Sequence, residues 1–248
     1  MKLMPVMPSY AERTLVGLPV SSRTYFTAKR VFDVVASLVL LVLLAPLLLV
    51  IALGVRLESP GPALFRQVRL GARRVRTADG WGWQVRTFTI IKFRTMHRAC
   101  DESLHRTYMA AYLAGDEAAM ARLQPPGDAA DSYKLTADPR ITRLGGVLRR
   151  FSLDELPQFL NVLRGDMSLV GPRPPLPYEV DHYEDRHFDR LASAPGVTGW
   201  WQVNGRCETS FEEMVRLDLE YIARRSLWLD LRILVRTLPA ALSARGAG

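Results

Sequence analysis

The stretch that decides the fold is Val34–Val55, with the sequence VVASLVLLVLLAPLLLVIALGV, an apolar run interrupted only by Ser37. About 22 residues at ~1.5 Å rise form a helix of roughly 33 Å, which is enough to cross the hydrocarbon core of a bilayer. The run is too long for the apolar part of a signal peptide, and no cleavage site of small residues follows it. It also lacks the polar face that a helix packed on a soluble core normally keeps. We therefore expect membrane insertion.

Two features argue against a straight crossing. Pro46 lies near the middle of the run, where it removes a helical hydrogen bond and kinks the helix. Cations flank both ends, with Lys29 and Arg30 before the run and Arg56 and Arg66 after it, so the positive-inside rule gives no orientation. A helix that enters the membrane, bends at Pro46 and returns to the cytoplasmic face satisfies both observations. A kinked single crossing satisfies them equally, because membrane helices tolerate proline.

Composition sets the broad class of the protein. A chain of 248 residues is long enough for one domain with its own core, and 48% apolar residues exclude a disordered chain. The formal charge of +8 favours anionic partners, which are nucleic acid, anionic lipid or phosphorylated substrates. Cys100 and Cys207 form neither a disulfide framework nor a zinc pattern, which indicates free thiols in a reducing cytosol.

Outside the apolar run, local patterns predict a mixed and mostly helical chain. Residues 1–28 have the composition of a poorly ordered tail. Ala63–Phe65 and Trp83–Ile91 are typical of strands, and the basic loop predicted between them contains Arg69, Arg73, Arg74 and Arg76.

Three later segments favour helix. They are Ile141–Leu163, apart from Gly145 and Gly146, then Glu212–Arg225 and Leu227–Leu242. The last is amphipathic and mixes apolar residues and Trp228 with arginines, which suits either a helix in the membrane interface or one packed on the core.

The segment RRFSLDELP, residues 149–157, carries two adjacent carboxylates, Asp154 and Glu155. Its structural interpretation is a helix start, with Ser152 and Glu155 as a capping box, or with Asp154 as the cap and Pro157 in the first turn. In either arrangement, a positive helix end after two arginines keeps both carboxylates ionised. An ionised Asp can attack phosphorus, and two carboxylates beside phosphates suit Mg²⁺. Capping and catalysis both remain open from this segment.

Other cations occur in rigid or strand-end positions. Arg173 lies between Pro172 and Pro174, where it can present a fixed fork to phosphate or can bind backbone carbonyls of the turn. Arg206 ends the Gly-rich loop PGVTGWWQVNGR, whose tryptophans suit a nucleobase, the lipid interface or the core. Lys92 closes a predicted strand. We find no Gly-rich phosphate loop and no nucleic-acid-binding module.

Together, these motifs resemble the bacterial sugar transferases, the monotopic phosphoglycosyl transferases that act on polyprenyl phosphate. The matching pieces appear in the family's order over roughly residues 30–240, and they are KRVFD (29–33), KFRTM (92–96), DPRITR (138–143), SLDELPQ (152–158), residues 161–174 and residues 195–206.

The resemblance implies specific roles for residues of this chain. It implies a re-entrant helix bent at a Ser-Pro pair, which is Ala45-Pro46 here. It implies a catalytic dyad, Asp154-Glu155, that works with Mg²⁺ through a phosphosugar on the Asp. Arginines matching Arg149 and Arg206 are expected to bind phosphate, with Lys92 and Arg173 close by.

We therefore expect a mixed α/β, mostly helical fold. Its parts are a tail (1–28), a re-entrant membrane helix (29–66) and a cytosolic catalytic domain with a C-terminal amphipathic helix (67–248), on the cytoplasmic face of the bacterial inner membrane. The expected activity moves hexose-1-phosphate, with glucose or galactose favoured, from a UDP-sugar to undecaprenyl phosphate with release of UMP, initiating exopolysaccharide or O-antigen assembly. The expected partners are these substrates and membrane lipid, without nucleic acid, and a homo-oligomer is compatible with the sequence. The rival hypothesis is a non-enzymatic membrane adaptor that binds anionic lipid.

Overall fold

The computed structural model describes residues 13–15, 23–78, 80–97, 103–124, 138, 140–204 and 209–242. As the sequence indicates, the fold is mixed and mostly helical. The strands are β1 (Thr14–Leu15), β2 (Leu64–Thr77), β3 (Gly80–Phe93), β4 (Ser168–Val170) and β5 (Gly196–Thr198). The helices are α1 (Arg23–Leu43), α2 (Ala45–Glu58), α3 (Ser103–Ala114), α4 (Glu117–Leu123), α5 (Arg143–Arg150), α6 (Phe159–Arg164), α7 (Pro177–Val180), α8 (Trp200–Asn204), α9 (Phe211–Arg224) and α10 (Leu227–Leu242). Leu153–Gln158 and Asp185–Leu191 form 3-10 helices.

The apolar run lies on two helices that meet at a sharp bend. α1 and α2 are bent by 64° at a break next to Leu44, and Pro46 occupies the first turn of α2. Because proline lacks an N–H and its ring clashes with the preceding turn, α1 cannot continue through this position, whereas the first turn of a new helix accepts it. Among the described helices, none is by itself long and apolar enough to cross a membrane, but this bent pair passes that test by length and composition.

Polar residues at every fourth position attach the first half of α1 to the rest of the protein. Tyr25, Lys29, Asp33 and Ser37 are buried on one helical face. The Lys29 ammonium donates to Asp230 of α10 at 2.8 Å, and Asp33 accepts from the Ser168 hydroxyl at 2.7 Å. The predicted tail is therefore partly wrong, because residues 23–28 are helical and Thr14–Leu15 pair with β3.

β2 and β3 form one long antiparallel hairpin, in register from Leu64 opposite Phe93 to Thr77 opposite Gly80. The predicted basic loop is wrong, since its four arginines lie on β2. The predicted strands Ala63–Phe65 and Trp83–Ile91 correspond to the start of β2 and to the middle of β3. Cross-strand pairing and burial of Leu70 and Val85 extend β2 through the arginines, which local composition did not indicate.

Two of these arginines have partners that explain their place in a strand. The Arg69 guanidinium binds the Gln67 side chain and the Pro174 carbonyl. Arg74 stacks between the rings of Phe26 and Trp81, at 4.1 and 4.2 Å.

The C-terminal helices complete the core. α9 begins where Ser210 accepts a hydrogen bond from Glu213 N, and it buries Tyr221 and Ile222 against β4 and α10. α10 buries Ile233 and leaves Trp228, Leu231, Val235 and Leu238 exposed along one side. The prediction of helix over 212–225 and 227–242 is therefore confirmed to within one residue.

Candidate active site

The two adjacent carboxylates lie in a tight turn between α5 and α6. The predicted helix over 141–163 is interrupted there, because Ser152 has a left-handed backbone (φ 56°) and Leu153–Gln158 form a 3-10 helix. Ser152 makes no side-chain capping bond, so the capping-box interpretation is wrong, and the alternative with Asp154 as cap is wrong too, because Asp154 is the second residue of the 3-10 helix. The turn directs the carboxylates toward a cavity rather than along a helix axis.

Glu155 is held by two cations. Lys92 Nζ at the end of β3 lies 2.6 Å from Glu155 Oε1, and Arg173 Nη1 lies 3.7 Å from the same oxygen. Burial lowers the pKa of Lys92, and the Glu155 carboxylate opposes that effect. The ion pair therefore fixes the orientation of Glu155.

Arg149 differs from these two cations. It lines the same cavity at the end of α5, and its guanidinium has no hydrogen bond or ion pair with the described part of the chain. Burial lowers the pKa of Arg149, while the Asp154 and Asp138 carboxylates raise it. A half-buried guanidinium with unused donors is suited to an anionic ligand.

The cavity is large and has two kinds of wall. Its volume is about 1840 Å³. One wall is ionic and contains the carboxylates and cations described above, together with Asp138 and Arg140. The opposite wall is apolar and is built from the bent helix pair and α10, with Leu40, Leu44, Leu53, Leu234 and Leu238. The cavity can therefore hold a ligand that has a charged end and an apolar end.

Most of the predicted site residues meet in this cavity. Lys92, Arg149, Asp154, Glu155 and Arg173 all line it. Arg206 lies outside the described residues. Ala45 and Pro46 lie at the helix bend and are not among the cavity-lining residues.

Sequence reasoning missed or misjudged several residues near the site. Arg94, named above only within the motif KFRTM, is buried and donates to the Ser59 and Pro62 carbonyls after α2. Trp201, one of the tryptophans with three open interpretations, packs in the core, where it is 3% exposed. His105 and Gln202 line the cavity, and no local pattern around them indicated this.

The donor set fits a magnesium ion. Mg²⁺ is usually bound by one or two carboxylates together with phosphate oxygens. Asp154 and Glu155 supply two carboxylates, and the described residues contain no group of three or more His, Cys, Asp or Glu that could form an all-protein metal site. A magnesium ion at this site would therefore need ligands from a phosphorylated substrate.

The fold and the site together indicate an enzyme that acts on a phosphorylated substrate in a cavity with an apolar wall. Comparison with known proteins agrees with this conclusion. The family model described as bacterial sugar transferase matches residues 24–244. The chain is 43% identical over 227 residues to the UDP-glucose:undecaprenyl-phosphate glucose-1-phosphate transferase of Caulobacter vibrioides, covering 88% of this chain and 71% of that protein. It is 39% identical over 224 residues to the exopolysaccharide production protein ExoY of Rhizobium meliloti, covering 89% and 88%. It is 37% identical to the undecaprenyl-phosphate galactose phosphotransferase of Salmonella typhimurium, covering 88% of this chain and 41% of that protein. The chain belongs to the bacterial sugar transferase family.

Proposed function

We propose that this protein transfers hexose-1-phosphate from a UDP-sugar to undecaprenyl phosphate and releases UMP, the first step of an exopolysaccharide or O-antigen repeat. The observation that carries the proposal is the cavity, where the Asp154–Glu155 dyad lies among several cations and apolar side chains of the bent helix pair line the same space. This combination suits a reaction between a water-soluble nucleotide sugar and a lipid phosphate.

The proposed chemistry has two displacements at one phosphorus atom. A carboxylate oxygen of Asp154 attacks the β-phosphorus of the nucleotide sugar, and the bond from that phosphorus to the bridging oxygen breaks, so UMP leaves with the electron pair. An oxygen of the lipid phosphate then attacks the same phosphorus and displaces Asp154, which regenerates the carboxylate. Asp154 is 9% exposed, and burial in a partly closed cavity keeps water away from the intermediate.

The cations stabilise negative charge at different places. Arg149 has donors available for phosphate oxygens, and fixed donors of this kind stabilise charge that develops in the transition state. Lys92 and Arg173 hold Glu155 in position. Mg²⁺ bound by Asp154 and Glu155 would supply further charge neutralisation on the phosphates.

We propose that α1 and α2 form a re-entrant hairpin with both ends on the cytoplasmic face of the inner membrane. Both halves contact the same protein body, which supports this topology. α1 is tied to Asp230 and Ser168, while Ile51 and Val55 of α2 pack with Phe93 and Leu148. A single crossing would pull one of these ends away from the body.

The non-enzymatic adaptor explains the positive charge and the apolar surface but not the dyad. An adaptor that binds anionic lipid has no need of two acidic side chains in the middle of a cationic cavity. The two hypotheses differ in one measurable product, which is UMP.

The deciding experiment incubates purified protein with undecaprenyl phosphate and a panel of UDP-sugars and measures UMP. UMP release that depends on the lipid acceptor, stops with EDTA and resumes with Mg²⁺ supports the proposal, including the cofactor. Absence of UMP with every sugar tested would favour the adaptor.

A further inference from the structure

The segment Ser103–Leu123, which contains α3 and α4, packs beside the cavity, and the proposed reaction uses none of its residues. Tyr108 and Tyr112 of α3 are buried with Trp201 and Phe211 in one apolar cluster. The Tyr112 hydroxyl donates to the Thr209 carbonyl at 2.7 Å. These contacts fix α3 against α8 and the start of α9, so any side chain that α3 directs into the cavity is held on a rigid element.

His105 is such a side chain. It is half-buried and lines the cavity together with Arg149, Asp138 and Arg140. No hydrogen bond joins the His105 ring to the described part of the chain. Within that part, both ring nitrogens are therefore without a hydrogen-bond partner.

Burial and the positive charges around His105 keep the ring neutral. Burial lowers the pKa of His105 to about 4, the positive charges of Arg140, Arg69 and Arg149 act in the same direction, and Asp138 opposes them. At neutral pH the imidazole therefore has one donor and one acceptor. A neutral ring adds no attraction for phosphate beside three arginines, but it matches a hydroxyl group, which also donates once and accepts.

The hexose is the part of the proposed substrate that brings hydroxyls next to the reacting phosphate. Asp154 is proposed to attack the phosphorus that carries the hexose, and His105 lines the same cavity as Asp154 and Arg149. The ribose, in contrast, is one phosphate farther away along the nucleotide. Resting on the function proposed above, we infer that His105 hydrogen-bonds a hydroxyl of the hexose and that α3 thereby contributes to the choice of sugar.

The test asks whether the effect of His105→Ala on kcat/KM depends on the presence of one particular hydroxyl of the substrate. Values of kcat/KM are measured for wild type and His105→Ala with the best UDP-sugar and with its 2-, 3-, 4- and 6-deoxy analogues. In wild type one deoxy analogue should be poorer, and in His105→Ala that particular penalty should shrink by about fivefold or more, as expected for one lost neutral hydrogen bond. His105→Asn, which keeps an uncharged donor and acceptor, should retain part of the penalty.

Controls separate this role from a structural one. Thr107→Ala lies on the exposed side of α3, where its hydroxyl bonds only the Ser103 carbonyl within the helix, and it should leave all ratios unchanged. Equal losses for every analogue in His105→Ala would overturn the inference, as would a coupling to the 2′-hydroxyl of the ribose measured with a 2′-deoxy nucleotide sugar. Wild-type protein without activity on any UDP-sugar would instead overturn the proposed function, and this inference with it.

Discussion

At the scale of single residues, the two neighbouring carboxylates occupy different environments. One carboxylate oxygen of Glu155, Oε1, lies 2.6 Å from Lys92 Nζ and 3.7 Å from Arg173 Nη1. The Asp154 carboxylate acts electrostatically on Arg149 and also on Lys92. We expect Asp154 to be the nucleophile and Glu155, which the two cations orient, to help hold Mg²⁺.

Replacement of Asp154, the proposed nucleophile, should abolish turnover without unfolding the protein. Asp154→Asn keeps the size of the side chain and removes the anionic oxygen that attacks phosphorus, so UMP release should fall by several orders of magnitude. Wild type given radiolabelled nucleotide sugar and no lipid should trap a phosphosugar adduct that Asp154→Asn lacks. Glu155→Gln should also impair activity. Asp116→Asn, which preserves the N-cap of α4 far from the dyad, is the matched control. An active Asp154→Asn protein would end the nucleophile assignment.

Removal of the Arg149 guanidinium, which we propose binds phosphate, should have a smaller effect. Arg149→Ala deletes charge-assisted hydrogen bonds of about 1.5–3 kcal/mol, which corresponds to roughly a tenfold to hundredfold loss in kcat/KM. The same loss is predicted for Arg206→Ala. Arg150→Ala is the control, because Arg150 is exposed and lies over the Phe151 ring at 5.8 Å. If Arg149→Ala and Arg150→Ala have the same kinetics as wild type, Arg149 has no phosphate role.

At the scale of elements, a buried carboxylate connects α1 to α10. Asp230 of α10 accepts from Lys29 at 2.8 Å, from Tyr25 at 3.1 Å and from Tyr221 at 2.8 Å. Asp230→Ala leaves the Lys29 ammonium buried without this partner, and the free energy of unfolding should fall by about 3–5 kcal/mol. Thermal unfolding in detergent micelles measures the change. Asp185→Ala breaks only the exposed pair with Arg13 at 3.0 Å, and a loss as large as that of Asp230→Ala would contradict the argument.

The bent pair α1–α2 predicts a specific topology. In a background with Cys100 and Cys207 replaced by Ser, cysteines at Val20 and Pro60 should both resist a membrane-impermeant thiol reagent in intact cells, because both ends of a hairpin face the cytoplasm. Both positions should react once the cells are permeabilised. Labelling at residue 20 but not at residue 60 in intact cells would demonstrate a single crossing.

At the scale of the whole molecule, two exposed apolar surfaces adjoin the cavity. One belongs to the bent pair, where Leu43 and Leu49 are 70% and 72% exposed, and the other is the exposed side of α10. Bilayer contact would cover both and would let the lipid acceptor reach the cavity from its apolar side.

These surfaces predict membrane attachment that does not depend on charge. Salt at ~1 M, which reduces the Debye length to about 3 Å, should leave the protein in the membrane fraction, and detergent should release it. Leu43→Asp combined with Leu49→Asp should weaken retention, because each charge costs roughly 2.5–3.5 kcal/mol inside a bilayer. Leu104→Asp on α3 is the control. Release of the wild-type protein by salt alone would point to electrostatic binding, as in the adaptor hypothesis.

The sequence by itself determined the features that depend on near neighbours along the chain. The length of the apolar run and the position of Pro46 predicted a bent apolar segment, and the structure has its break next to Leu44. Adjacent Asp154 and Glu155, preceded by Arg149, predicted the candidate site. These signals are local, because helix length, proline geometry and charge adjacency act within a few residues.

Only the tertiary structure decided which distant residues meet. Lys92 and Glu155 are 63 positions apart, and their contact depends on how β3 packs beside the 3-10 turn. The arginines of β2 are on a strand because β3 pairs along its whole length, which no local pattern indicated. His105 likewise reaches the cavity because α3 packs on α8 and α9. Periodicity and composition describe the face of one element, whereas the partner of that face is set by packing between elements that are far apart in the chain.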